Sequence, residues 1–186
     1  DGFLAPFRVI NIRTNIGEGW RPYKGQLDKK GQEIEDRIYT NSDFDYNIIL
    51  EDRTYEVARE ITEYLKSTDR IVFCATEDHA ERMRIALVNL NADMVKQNPD
   101  YVVRITGSDV YGKSKIKYFI SLSAPFPVIA TTSKLLSTGA DCKMTKLIVL
   151  DQMIGSMTEF KQTIGRGTRL REKAGKMHFT VMDFRH

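Results

Sequence analysis

The sequence predicts an α/β domain with a mainly parallel sheet covered by helices on both faces. Short apolar runs bounded by turn residues recur along the chain, as in Ile71-Val72-Phe73-Cys74 and Leu147-Ile148-Val149-Leu150. Such runs read as strands buried on both sides. Stretches with apolar residues at helical spacing separate them, so the order is repeatedly strand, then helix. That order needs crossover connections, which lay successive strands parallel. In sheets of this kind ligands gather at the carboxyl ends of the strands.

Residues 1–43 differ from the rest. Phe7-Arg8-Val9-Ile10-Asn11-Ile12-Arg13 alternates apolar and polar side chains, the mark of a half-buried strand. Gly17, Gly19, Pro22, Gly25 and Gly31 then punctuate a polar run, which is loop or hairpin composition. Trp20 lies inside that run and is expected to dock on a neighbouring surface. The segment reads as an extended, loop-rich arm or linker that leans on another domain, followed by a globular domain over 44–186. In that domain Val57, Ile61, Tyr64 and Leu65 predict a helix over 52–66, leading into a strand over 70–74. A second helix is expected over 77–95, ending near Asn98-Pro99. A strand over 101–106, a turn at Gly107-Ser108-Asp109 and a helix over 113–122 follow. Strand 128–130, a short helix over 133–137, strand 147–150, a further helix and strand 179–182 complete the pattern.

Composition narrows the class without naming an activity. At 186 residues the chain has room for one domain with a core and an appendage. Lys and Arg total 28 against 25 Asp and Glu, a net charge of +3, which neither demands nor excludes nucleic acid. Cys74 and Cys142 are too few for a disulfide framework or a zinc site. His178 and His186 have no partners at metal-ligand spacing, and no metal site is expected. His79 reads as a cap or packing residue. No apolar run approaches the roughly 20 residues needed to cross a bilayer. A soluble, cytoplasmic protein without membrane contact is the expectation.

The most informative stretch is Gln162-Thr163-Ile164-Gly165-Arg166-Gly167-Thr168-Arg169-Leu170-Arg171. Ser156 and Thr158 open a helix before it, with Glu159 three residues after Ser156 in capping-box spacing. Arg166 and Arg169, three apart, leave one helix face together. Gly165 and Gly167 each cost about 1 kcal/mol inside a helix, so they fit a place of close backbone approach. Two permanently charged forks beside bare backbone suit a phosphate with several oxygens. A solvated arginine-rich helix is the alternative from these residues alone.

Upstream lies Val128-Ile129-Ala130-Thr131-Thr132-Ser133-Lys134-Leu135-Leu136-Ser137-Thr138-Gly139-Ala140-Asp141, before strand 147–150. With the arginine block it resembles motifs V and VI of superfamily 2 helicases and translocases, within a likeness that covers most of the chain from about Phe44 onward. Ser156-Met157-Thr158-Glu159-Phe160-Lys161-Gln162 and Phe179-Thr180-Val181-Met182-Asp183-Phe184-Arg185 are similar to the motor (R) subunit of type I restriction enzymes. The resemblance implies a RecA-like three-layer αβα domain, the second of the motor. ATP with Mg²⁺ would then be bound mainly by a separate first RecA-like domain. No GxxxxGK[ST] phosphate loop and no DEAD- or DEAH-type quartet occurs in this sequence. This stretch alone is therefore expected to be inactive in ATP hydrolysis.

The same resemblance implies the site residues. Arg166 and Arg169 would face the γ-phosphate. Gln162, Gly139 and Asp141 would line the nucleotide cleft, Asp141 near the ribose hydroxyls or the arginines. For nucleic acid the candidates are Thr76, Thr106 with Gly107, and Thr131-Thr132-Ser133. All follow strands and so should emerge on one sheet edge, gripping DNA backbone through hydroxyls and N–H groups. Each Thr or Ser alone is more often a helix cap. Lys113, Lys115 and Lys117 are further phosphate contacts or a solvated face. The implied partners are DNA, the other domains of the subunit, and the modification and specificity subunits of a restriction–modification complex. Another superfamily 2 motor, for repair or RNA, and a non-catalytic nucleic-acid-binding module are the alternatives. Pro99-Asp100 with Asp141-Cys142-Lys143 or Glu159-Phe160-Lys161 mimics a nuclease site, but at separations too long to carry one.

Overall fold

A computed structural model of the chain describes residues 7–17, 19–44, 50–65, 71–133, 145–152, 154, 156, 158–159 and 179–185. Its sheet has six strands: β1 (Phe7–Asn11), β2 (Ile71–Cys74), β3 (Val102–Ile105), β4 (Ile129–Thr132), β5 (Leu147–Leu150) and β6 (Phe179–Asp183). They lie in the order β1-β6-β5-β2-β4-β3, and every neighbouring pair is parallel. Helices α1 (Glu51–Leu65), α2 (Glu77–Leu90), α3 (Ala92–Gln97) and α4 (Val110–Phe119) accompany it.

Two apolar layers enclose the sheet, because alternate strand residues face opposite ways. On one side Val57, Ala58 and Ile61 of α1 and Met83, Ala86 and Leu87 of α2 pack on Val102, Ile129, Leu147, Val149 and Met182. On the other, Phe119 of α4, with Ile116, meets Val103, Ile105, Ala130, Ile148, Leu150, Phe179 and Val181. This is the three-layer αβα arrangement.

The second expected helix differs in detail. It breaks at Asn91, whose side-chain amide donates to Leu87 O at 2.8 Å and to Thr62 Oγ1 at 3.2 Å. That side chain competes with the next backbone donor, so α2 stops and α3 starts anew. Helix α4 begins three residues before the lysines, because Asp109 caps it by accepting the Gly112 N–H at 3.0 Å.

Gly112 fixes how closely α4 approaches β3. A Cβ there would stand 1.9 Å from the Arg104 carbonyl oxygen, a backbone atom that cannot swing aside. Gly112→Ala is accordingly expected to destabilise the chain by about 1–3 kcal/mol or more, the usual range for overpacking. A urea-unfolding midpoint equal to the parent's would contradict that fit.

The arm is bound to this chain. β1 runs parallel to β6 in the register Phe7↔Phe179 to Asn11↔Asp183 and forms the sheet's edge. As an edge strand it is more exposed than its alternating sequence predicts, with Phe7 and Val9 each 46% accessible. Beyond it Trp20 and Tyr39 form an antiparallel bridge, and Leu27 and Glu33 a second. Gly25 and Gly31 take positive φ at turns of this hairpin, where a side chain would be strained. Trp20 packs on Tyr39 and Phe44, within a small cluster that includes Ile34 and Leu50. The surface on which Trp20 docks is thus supplied by this chain, by Tyr39 of the arm and Phe44 just beyond it. The Glu56 carboxylate of α1 accepts the Asn15 and Ile16 N–H groups.

Candidate nucleic-acid interface and its buried anchor

The carboxyl ends of β2, β4, β3 and β5 form one edge, with Cys74 level with Thr132 and Leu150, and Ile105 level with Thr132. Thr76, Thr106 with Gly107, and Thr131-Thr132-Ser133 therefore come together, as their positions after strands predict. Their side chains are not equally available. Thr106, Thr131 and Thr132 are each 0% accessible. Thr132 Oγ1 donates to Ile105 O at 2.7 Å and so ties β4 to β3. Thr131 Oγ1 is buried without a hydrogen-bond partner. Thr76 is the N-cap of α2, its hydroxyl accepting the His79 N–H at 3.3 Å. Of these turns Gly107 and Ser108 are exposed, and Thr76 and Ser133 are half-buried.

Charge is arranged around these turns. Arg104 of β3 is spanned by Asp109 at 3.1 Å and Glu81 at 3.4 Å, and Glu81 also pairs with Arg84 at 2.7 Å. Burial alone would raise the Asp109 carboxyl. The Gly112 N–H and the Arg104 guanidinium outweigh it and hold Asp109 below the usual carboxylate range. Lys115 is committed to Asp100 at 2.7 Å, and Asp100 also accepts the Tyr111 hydroxyl. Asp100 is thereby occupied structurally, which removes the proline–aspartate half of the nuclease-like pattern. Lys113 and Lys117 remain exposed on α4.

The most buried charge on the edge was not singled out by sequence reasoning. Asp151, one residue beyond β5, is 1% accessible. It accepts two hydrogen bonds from the Arg53 guanidinium of α1, both 2.8 Å, and one from Arg185 Nε at 2.6 Å. His79 Nε2 lies 3.4 Å from its other side, so His79 belongs to this packed cluster. Arg185 continues to the arm, donating to the carbonyls of Asn41 and Phe44. One carboxylate thus joins the end of β5, α1, α2, the close of β6 and the arm. An aspartate just after an apolar run was the only local signal. Its partners are 98 and 34 positions away, beyond the reach of spacing arguments.

The nucleotide candidates Gln162, Arg166, Arg169, Gly139 and Asp141 lie outside the described residues. The approach to them is visible at Ser156, whose Oγ accepts the Glu159 N–H at 3.1 Å, the capping contact its spacing predicts. Among the described residues no group of three or more His, Cys, Asp or Glu is placed to hold a metal ion. No described helix is long and apolar enough to cross a membrane.

Along its whole length the chain is 55% identical, over 190 aligned positions, to the Type I restriction enzyme EcoAI endonuclease subunit of Escherichia coli. The chain is a close homologue of type I restriction endonuclease subunits. It corresponds to 24% of that relative's length, so it aligns with one portion of a restriction subunit. A solved fragment of a putative HsdR subunit of a type I restriction enzyme from Vibrio vulnificus YJ016 superposes with a TM-score of 0.77. That match has 37% identity and covers 99% of this chain and 32% of the other. The helicase MrfA, solved bound to DNA, shares the fold at a TM-score of 0.55 and 18% identity, over 72% of this chain and 17% of that one. No family model matches. The restriction-subunit homologue thus carries a RecA-like αβα fold of the helicase C-terminal kind.

Proposed function

We propose that residues 44–186, with the arm at 1–43, are the second motor domain of an ATP-dependent DNA translocase within a type I restriction R subunit. The observation that carries this is the end-to-end similarity to an endonuclease subunit, together with the intact run Gln162, Arg166 and Arg169. In this reading ATP with Mg²⁺ sits on a first RecA-like domain elsewhere in the subunit. Arg166 and Arg169 reach across the cleft to the γ-phosphate, with Gln162, Gly139 and Asp141 lining this side. Closure on ATP and reopening after hydrolysis move the DNA-gripping edge relative to the first domain.

The grip is on backbone phosphates and is not sequence-specific. With Thr106, Thr131 and Thr132 buried, it is made through the Gly107 and Ser108 backbone and through Ser133, while the threonines shape the strand ends. Modification and specificity subunits complete the cytoplasmic complex and supply recognition. Tyr23, Leu27 and Ile38, exposed on the arm, face a neighbouring domain of the same subunit.

The full-length subunit, assembled with those partners, is expected to displace a triplex-forming strand from duplex DNA in an ATP-dependent manner. A nucleic-acid-binding scaffold would bind the duplex and leave the third strand in place with or without ATP.

A further inference from the structure

We propose that Glu77 is the internal occupant of the DNA edge, holding in the DNA-free state the Ser108 donors that a backbone phosphate takes over on binding. This rests on the reading of that edge as the DNA grip. Glu77 is the first residue of α2 and is exposed. Its Oε1 lies 3.4 Å from Ser108 N and 3.3 Å from Ser108 Oγ, both as donors, across 31 positions of sequence. A Cβ built on Gly107 would meet nothing within 4 Å except that same Oε1, at 3.9 Å. The space before the turn is therefore open, and a carboxylate oxygen is what enters it.

Carboxylate and phosphate oxygens compete for the same donors, since both are anionic acceptors of N–H and O–H groups. Arg104 of β3 is already spanned by Glu81 and Asp109. The Glu77 contacts are long and solvent-exposed, and such bonds contribute about 1 kcal/mol or less. A phosphate can displace the carboxylate, and the carboxylate can return when the phosphate leaves. Glu77 thereby lowers the resting affinity for duplex and eases release between steps.

The alternative is that Glu77 only complements the α2 dipole, as any first-turn carboxylate does. Asp78, its neighbour in the same turn, provides the comparison. Duplex affinity of the full-length R subunit without nucleotide would be measured by fluorescence anisotropy for E77Q, E77D, D78N and S133D. E77Q is expected to bind tighter by up to about fivefold, because its neutral amide oxygen is a weaker acceptor than the carboxylate. E77D, one methylene shorter but equally charged, should shift the same way, and D78N should shift less than either. Equal effects of E77Q and D78N, an E77D variant like the parent, or weaker binding by E77Q would each overturn the proposal. S133D, which adds a carboxylate to the same edge, is expected to weaken binding. If S133D has no effect, the edge itself is not the grip and the underlying reading fails; if it weakens binding while Glu77 variants do not differ from D78N, only the Glu77 proposal fails.

Discussion

Asp151→Ala is expected to lower the stability of the 186-residue chain by about 3–5 kcal/mol, the range for removing one partner of a buried ion pair. The loss comes less from the attraction forfeited than from what remains. Arg53 and Arg185 would stand buried, at 3% and 6% accessibility, without the carboxylate that now lies between them. At about 2–4 °C per kcal/mol for a chain of this size, the melting temperature should fall by roughly 6–20 °C. Proteolysis should also find the arm more readily, because Arg185 is what holds the Asn41 and Phe44 carbonyls. A fall of less than about 1 kcal/mol, the value of an exposed pair, would contradict the anchor.

The same carboxylate fixes an acid limit. Burial by itself would raise its pKa, but Arg53 first, then His79 and Arg185, hold it far below the ordinary range. A carboxyl with a depressed folded pKa stabilises the fold above its unfolded value of about 3.9, and that contribution is lost as pH falls towards the folded value. The Asp151 contribution should therefore be present above the unfolded carboxyl pKa and decline as the pH falls below about 4. In the Asp151→Ala chain that acid-dependent component should be absent.

Much of the fold was legible because its signals are local. The apolar runs at 71–74 and 147–150, the helical spacing of Val57 and Ile61, and the Ser156–Glu159 cap each depend on a few adjacent residues. Strand order did not follow, since an alternating segment such as β1 does not say which strand it will join. Its pairing with β6 joins residues about 170 positions apart. The break at Asn91 depends on Thr62 of another helix, and the start of α4 depends on a single Asp109 cap ahead of its lysines. At the candidate site, position after strands put the threonines on one edge, yet burial was decided by packing that sequence spacing does not encode. The Asp151 cluster was invisible for the same reason. The proposed motor role rests on the two ordered blocks from Val128 to Asp141 and from Gln162 to Arg171, a resemblance in sequence.

The most direct test of the account is DNA-stimulated ATP hydrolysis by the full-length subunit carrying Arg169→Ala, with Arg166→Ala in parallel. A guanidinium that stabilises charge on the transferring phosphoryl is worth about 10³–10⁵ in rate, while under the proposed function the nucleotide is held chiefly by the first domain. Lysine should not restore the rate, because it keeps the charge but lacks the planar fork. A fall of that size is expected, with ATP-analogue affinity changed by less than about tenfold, or 1.4 kcal/mol. Hydrolysis within about tenfold of the parent in both variants would contradict it.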